Sequence, residues 1–330
     1  MYGIKKTLSV ITSGLCLCMA TVIGYGQQLP VYSQYMMNKF LINPAVAGSE
    51  GYTAFNLTSR KQWLGIKDAP LTFAASGQAR LPKGNAKGGG SGSRRYGSNS
   101  MRFSRVGVGG YIFNDRHGLV SRSGLQLTYA YHIPFDRSQL SFGLSGTFWQ
   151  FRLDRASARL FNPDDELFNS MDNALYVPDA NLGIYYSDER FFAGFSADQL
   201  FQSSFKFGGK GYDQYKLFRH FYLMGGYSFL ASDRLAVEPT MLIKTTQQWA
   251  VQMDLTVNFY FVENYWAGLT YRTPATMVLM GGVRVDKFYF GYAFDFSFNS
   301  IMYHSYGSHE IMIAMKLGKS SRRLNWLERY

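Results

Sequence analysis

Few side chains in this chain of 330 residues have the types and spacing of a catalytic or metal site. The histidines are dispersed, at His117, His132, His220, His304 and His309. Only the last two are close in sequence, whereas a zinc site needs three or four ligands brought together. The only cysteines, Cys16 and Cys18, lie near the start of the chain. The sequence therefore predicts no metal and no cofactor.

One acidic run has the oxygen ligands that calcium prefers. Asp164, Asp165 and Glu166 are consecutive, with Asn162 and Asp172 nearby, and carboxylate and amide oxygens are typical calcium ligands. Acids in a long polar loop are more often simply solvated. We favour that second interpretation for this run.

No constellation in the sequence indicates catalysis. Gly107, Gly109 and Gly110 lie inside an alternating pattern and open no helix, so they are not a dinucleotide-binding fingerprint. Glycines in strands more often mark a bend or the close approach of another backbone. No nucleophile is placed beside a base, as covalent catalysis requires. We therefore expect a protein that is not an enzyme.

The elements that carry these residues are β-strands. Aromatic side chains occupy every second position near the end of the chain, at Phe288, Phe290, Tyr292, Phe294, Phe296 and Phe298. The residues between them are small or polar, and the same alternation occupies 249–261 and 125–132. A period of two is typical of a strand, because successive side chains point to opposite faces.

Strands with one apolar face build either a membrane barrel or a soluble sandwich. The polar face carries charges in mid-strand, at Asp254, Asp295 and Lys316, and aromatic residues crowd the strand ends as in the girdles of outer-membrane barrels. Both features favour an all-β, transmembrane antiparallel barrel. A sandwich stays the alternative, because the barrel pattern is weak in each single strand.

The alternation predicts about 14 strands, at 52–60, 70–80, 101–113, 120–132, 139–152, 176–187, 190–199, 217–230, 233–244, 249–261, 263–273, 276–285, 287–299 and 308–318. An even number suits a bacterial barrel, in which short turns face the periplasm and long loops face outwards. The segments 153–175, 200–216 and 300–307 are then outer loops. Residues 81–100 are a long periplasmic exception.

The start of the chain indicates export. Residues 1–26 have two lysines, an apolar run and small residues at the end, which is the layout of a Sec signal peptide. We expect an N-terminal segment over 27–51, the outer-membrane barrel over 52–318 and a C-terminal periplasmic tail over 319–330. Strand parity then predicts that both termini lie in the periplasm.

The net charge of +12 suggests an acidic partner. Basic residues are concentrated in the two segments predicted to be periplasmic, with Lys83, Lys87, Arg94 and Arg95 in the first and Lys319, Arg322, Arg323 and Arg329 in the tail. The tail also contains Trp326, which could bind a partner through its apolar ring. A protein partner beneath the membrane could bind these residues, and outer-membrane lipid headgroups or water are the alternative. Export makes nucleic acid an unsuitable partner.

The N-terminal segment is predicted to fold back into or under the barrel. Asn43-Pro44 fixes a turn, because proline restricts its own φ and that of the preceding residue, and Gly48 provides a second bend. The segment is therefore a candidate plug. On the last strand, the alternation turns Glu310 inwards, where it needs a cation such as a lumen arginine or lysine.

Several short motifs follow one another in a recognisable order. The runs are YSQYMMN at 32–38, LINPAVAG at 41–48, RKQW at 60–63, APLTF at 69–73, PDANLG at 178–183, YRT at 271–273 and GSHEI at 307–311. This series resembles the PorP/SprF family of the type IX secretion system over nearly the whole chain after the leader. The motif residues are Ser33, Gln34, Tyr35, Asn43, Pro44, Gly48, Trp63, Pro70, Gly307, His309 and Glu310.

The resemblance implies an outer-membrane barrel that acts with the secretion and gliding machinery. It implies an accessory role in exporting or attaching cargo proteins such as adhesins. The implied partners are the periplasmic ring and the peptidoglycan-linking components. The alternative is a passive or substrate-specific porin, whose lumen would be open.

Overall fold

The computed structural model describes residue 30 and residues 32–82, 103–154, 174–202, 204–206, 214–261 and 264–318. Its strands are β1 (Thr53–Lys61), β2 (Leu71–Pro82), β3 (Phe103–His117), β4 (Val120–Pro134), β5 (Gln139–Leu153), β6 (Ala174–Ser187), β7 (Phe191–Asp198), β8 (Ser204–Lys206), β9 (Gln214–Lys216), β10 (His220–Tyr227), β11 (Phe229–Ser232), β12 (Leu235–Thr246), β13 (Val251–Phe261), β14 (Tyr265–Arg272), β15 (Thr276–Val285), β16 (Phe288–Ser297) and β17 (Ser308–Leu317). Three 3₁₀ helices are η1 (Lys39–Leu41), η2 (Pro44–Val46) and η3 (Ser300–His304). This described part contains no helix with the length and hydropathy of a membrane-spanning segment.

The strands form one closed antiparallel barrel. The first and last strands pair from Thr53 with Leu317 to Lys61 with His309, and β10 joins β7 to β12, so the sheet has no free edge. Strand β11 continues β10 after a break at Ser228 and also pairs with β12. The hairpin of β8 and β9 is a separate sheet. With β10 and β11 counted as one strand, the barrel has the 14 strands that the alternation predicted.

Side chains alternate between the two faces of the barrel as the sequence indicates. On β4 the apolar residues Leu125, Leu127 and Tyr129 are 45%, 64% and 52% exposed, whereas Thr128 between them is buried. A lipid-facing strand needs this arrangement, since its apolar face meets hydrocarbon and its polar face lines the lumen. The transmembrane barrel is confirmed, and the sandwich is excluded because the sheet closes on itself.

The two ends of the barrel differ in their connections. We call the end with Thr53 and Leu317 the near end, and the opposite end the far end. Near-end turns are short between β4 and β5, β6 and β7, and β15 and β16, whereas the connections 154–173, 199–219 and 298–307 join strand ends at the far end. One expectation is corrected: the predicted loop at 200–216 contains the small hairpin of β8 and β9.

The lumen is occupied by residues 32–50, which we call the plug. Its side chains are almost completely buried, with Tyr35 and Phe40 each 1% exposed. Asn43 begins η2 by accepting a hydrogen bond from the backbone nitrogen of Ala45 at 2.9 Å, because Asn is a strong N-cap and Pro suits the first turn. The predicted turn is thus a short helical turn inside the barrel.

Candidate functional site

The barrel wall is shaped to admit the plug. A Cβ atom on Gly143 of β5 would lie 2.2 Å from the backbone nitrogen of Ala45, and one on Gly107 of β3 would lie 2.0 Å from the carbonyl oxygen of Ala47. Only glycine permits such a close approach of two backbones. The expectation that strand glycines mark close packing is therefore correct at Gly107. Gly109, which meets the ring of Phe40, follows the same rule.

Polar side chains of the plug bind strands on several sides of the barrel. Asn43 donates hydrogen bonds to the carbonyl oxygens of Ile184 on β6 and Phe195 on β7, at 2.9 and 3.2 Å. On the opposite side, Asn38 donates to Ser76 on β2 at 2.9 Å. The plug therefore spans the cross-section of the lumen.

The plug ends at its C-terminal side with bonds near the near end. The carbonyl oxygen of Ala47 lies 3.0 Å from Nε2 of His132 on β4. The backbone nitrogen of Gly48 donates to Gln78 on β2 at 3.1 Å. Gly48 has a φ of 70°, which an L side chain rarely adopts, and its Cβ would lie 2.7 Å from the carbonyl oxygen of Ala79. This position therefore requires glycine.

The start of the plug is bound by carboxylates near the far end. The Glu310 carboxylate on β17 accepts hydrogen bonds from the backbone nitrogens of Ser33 and Gln34, at 2.7 and 2.9 Å. The Ser33 hydroxyl donates to Asp295 on β16 at 2.8 Å. Both carboxylate side chains are buried, with 1% and 3% of their area exposed.

Two arginines neutralise these acids. Arg60 on β1 pairs with Asp295 at 2.7 Å and with Glu310 at 3.3 Å. Arg272 on β14 pairs with Asp295 and with Asp254 on β13, both at 3.1 Å. We call Arg60, Lys244, Asp254, Arg272, Asp295 and Glu310 the ion cluster.

The ion cluster is balanced in charge and largely buried. Lys244 on β12 completes it by pairing with Asp254 at 3.2 Å, so that three cations face three carboxylates. Buried ion pairs gain little over an apolar core, but removal of one partner costs about 3–5 kcal/mol because a charge is left uncompensated. The cluster therefore specifies where the plug lies more than it adds stability.

Two plug tyrosines add contacts of a second kind. Tyr32 shares a hydrogen bond of 2.6 Å with Tyr111 on β3, and the Tyr35 hydroxyl lies 3.4 Å from Oγ1 of Thr256 on β13. Burial raises the pKa of the Tyr35 phenol to about 12 and raises the pKa of Tyr32 as well. Both hydroxyls therefore stay protonated and act as hydrogen-bonding groups.

The structure divides the motif residues predicted from the sequence between three places. Seven of them belong to the plug or to the ion cluster that binds its start: Ser33, Gln34, Tyr35, Asn43, Pro44, Gly48 and Glu310. Three build the far-end loops, where Trp63 donates its backbone N–H to Ser308, Pro70 accepts from Gln62, and Gly307 accepts from Leu64. His309 lies on the outer face, 2.6 Å from the Tyr292 hydroxyl, and has no part in the lumen site.

Other predicted residues fall outside the described part of the chain. These are the basic residues Lys83, Lys87, Arg94 and Arg95, the tail residue Trp326, and the acidic run from Asp164 to Glu166. The leader over 1–26 and the tail over 319–330 also lie outside it. Their assignments stay predictions.

The sequence analysis placed the three acids of the ion cluster on the polar face but did not identify its three cations. It placed Glu310 inwards and expected a cation beside it, which Arg60 provides. Arg60 and Arg272 were noted only as members of the RKQW and YRT motifs. Each lies opposite an acid of the cluster on a paired strand, Arg60 opposite Glu310 and Arg272 opposite Asp254. Combining inward position with strand pairing would have found them.

A closed, lipid-facing barrel with a polar lumen defines the class as a transmembrane β-barrel of the outer-membrane type. The family model described as "Type IX secretion system membrane protein PorP/SprF" matches residues 24–315. The chain therefore belongs to the PorP/SprF family of type IX secretion system membrane proteins. No curated protein matches the chain.

Solved barrels are similar in overall shape only. The toluene transporter TodX of P. putida has 9% identity and a TM-score of 0.48, covering 84% of this chain and 92% of its own. A mutant porin of Rh. blastica has 7% identity and a TM-score of 0.33, covering 81% and 99%. At TM-scores below 0.5, these likenesses carry no information about substrate or mechanism.

Proposed function

We propose that this protein is a non-enzymatic accessory component of the type IX secretion and gliding machinery, which assists the export or surface attachment of cargo proteins such as adhesins. The observation that carries the proposal is the plug, which binds strands around the lumen and is fixed by the ion cluster. A general porin needs an open aqueous channel. Membership of the family supplies the pathway, and the plug argues against passive diffusion.

The alternative function is a substrate-specific channel. A cavity of about 390 Å³ beside the plug favours it, because a ligand could occupy the lumen there. Conductance of the purified protein in planar bilayers separates the two functions. An accessory barrel is expected to carry no steady current, whereas steady currents that depend on the solute would support the channel.

The accessory role is tested in the native cell. We expect deletion of the gene to remove a small set of proteins from the cell-surface proteome, and the intact gene to restore them. A gene lacking codons 32–50 should restore barrel abundance only in part and should not restore the cargo. An unchanged surface proteome after deletion would refute the role.

The near end is assigned to the periplasm because its turns are short. Strand parity fixes where β1 begins and β17 ends, but not where a segment inside the lumen begins. The plug begins beside Arg60 and Asp295, near the far end. The periplasmic position of the N-terminus therefore stays a prediction.

Labelling with a thiol reagent that does not cross the membrane tests this orientation. Tyr303→Cys lies at the far end, where the native side chain is 80% exposed, and should be labelled on intact cells. Lys287→Cys, in the near-end turn between β15 and β16, should be labelled only after lysis. The reverse pattern would invert the barrel.

The periplasmic contact is proposed to involve Lys83, Lys87, Arg94, Arg95 and Trp326, with the ring and peptidoglycan-linking components as partners. Clustered charge accelerates and orients association with an acidic surface, and its effect weakens with salt. Replacing the four basic residues by serine should reduce co-purification of the ring components at normal barrel abundance. Equal co-purification at low and high salt would contradict the proposal.

A further inference from the structure

A cavity of about 390 Å³ lies between the plug and strands β12–β17, β1 and β2. It reaches the near end, since its lining includes the turn residues Asn264 and Lys287 and also Gly318, which follows β17. Its volume falls in the range of pockets that bury most of a drug-sized ligand. The cavity is therefore large enough for the end of a peptide.

Two polar side chains of the inner wall are deeply buried. Trp266 on β14 and Asn56 on β1 both line it and are only 5% and 4% exposed. Among the described residues, neither Nε1 of Trp266 nor Oδ1 of Asn56 has a hydrogen-bond partner. Buried polar atoms usually have one.

The mouth of the cavity favours a carboxylate. The ammonium group of Lys316 lies over the rings of Tyr52 and Tyr289, 5.0 and 4.6 Å from their centroids. Within the described ranges, no carboxylate forms an ion pair with Lys316 or with Lys287. Glu50, Glu238 and Asp286 also line the cavity, together with the cations Lys39, Arg284, Lys287 and Lys316. The lining therefore carries charges of both signs, with one more cation than carboxylates.

We propose that this cavity binds the C-terminal end of the same chain, with the α-carboxylate of Tyr330 at Lys316 and the side chains of Trp326 and Leu327 against the aromatic wall. The chain leaves β17 at Gly318, on the lining itself, and continues for residues 319–330. At roughly 3.3 Å per residue, these residues reach about 40 Å. That length is ample to turn back into the mouth.

The composition of the tail fits the cavity at each point. Its last residues, LNWLERY, contain the apolar groups that the walls of Met36 and Tyr260 can cover. Its arginines, Arg322 and Arg323, can approach Glu50 at the mouth. The inference concerns this chain alone and does not depend on the proposed function. A partner that binds Trp326 would have to draw the tail out of the cavity.

Disulfide trapping in the full-length barrel tests the contact. Asn264→Cys on the lining is combined with Glu328→Cys in the tail, which leaves the proposed anchors in place. Gln248→Cys, in the exposed far-end turn between β12 and β13, is the matched control. We expect an intramolecular cross-link with Asn264→Cys only. No cross-link, equal cross-linking in both pairs, or a cross-linked dimer would overturn the proposal, and heat-modifiable mobility verifies that each barrel is folded.

Recognition of the carboxylate is tested in the same cross-linkable protein. A synthetic peptide of residues 319–330 with a free carboxylate should compete with the tail, and the C-terminal amide should compete at least tenfold less well. Lys316→Gln should lower the cross-linking yield, whereas Lys67→Gln in the exposed far-end loop should not. Equal competition by acid and amide together with no effect of Lys316→Gln would overturn the assignment of the carboxylate.

Discussion

Glu310→Gln is the most direct test of the hydrogen bonds that join the start of the plug to the barrel. The substitution keeps the shape of the side chain but leaves one oxygen acceptor where the carboxylate has two. The two oxygens accept from the backbone nitrogens of Ser33 and Gln34, at 2.7 and 2.9 Å, and one also meets Arg60 at 3.3 Å. Glutamine must therefore leave one backbone N–H unpaired.

The expected magnitude follows from these contacts. An unpaired buried N–H costs about 1–3 kcal/mol, and removing one charge from a buried ion pair costs about 3–5 kcal/mol when nothing replaces it. Arg60 still pairs with Asp295 at 2.7 Å, so only part of the cost of breaking the ion pair applies. We expect about 3 kcal/mol, which shifts the equilibrium between bound and released plug roughly 100-fold.

Amide hydrogen exchange measures this shift directly, because exchange of a protected amide follows the population of the open state. In Glu310→Gln, the peptide that contains Ser33 and Gln34 should exchange roughly 100-fold faster, while the barrel strands keep their protection. Glu189→Gln, in the near-end turn before β7, is the matched control and should not change it. Unaltered exchange of the two amides in a folded Glu310→Gln barrel would refute the role of this carboxylate.

Three further predictions concern the plug and the lipid face. Gly143→Val should release the plug from β5, because its Cβ would lie 2.2 Å from a plug backbone nitrogen, whereas Gly146→Val, which meets nothing within 4 Å, should be neutral; hydrogen exchange at 43–47 distinguishes them. Asn43→Ala should weaken the plug by about 0.5–2 kcal/mol through the lost N-cap alone, measured by the same exchange. Phe294→Arg on the lipid face should cost about 2–4 kcal/mol near mid-bilayer and Ser297→Arg on the lumen face much less, and equal unfolding free energies in lipid vesicles would contradict that assignment.

The barrel could be predicted closely from the sequence because every strand repeats one local rule. Thirteen of the strand ranges began within two residues of the observed strands. The largest difference at a strand end is in β3, which continues to His117. In these extra residues the outer face carries the polar side chains of Asn114 and Arg116, so the apolar alternation stops before the strand does.

The lumen could be predicted only in part, because its contacts join residues far apart in the sequence. Periodicity turned Asp254, Asp295 and Glu310 inwards, but it could not show that Ser33 would lie between the last two. That contact spans 262 and 277 residues. The plug was recognisable by its apolar, turn-containing sequence, whereas the small residues that receive it, such as Gly143, carry no signal until the strand register is known.

The ion cluster links the pairing of the first and last strands to the binding of the plug. Arg60 lies on the first strand and Glu310 on the last, and the two residues are opposite each other where these strands pair. Ser33 binds Glu310 through its backbone and accepts a hydrogen bond from Arg60 at 2.8 Å. The complete binding site for the start of the plug therefore exists only when β1 and β17 are paired. Burying Arg60, Asp295 and Glu310 before closure would leave charges uncompensated. The contacts that seat the start of the plug therefore also join the two closing strands in their register.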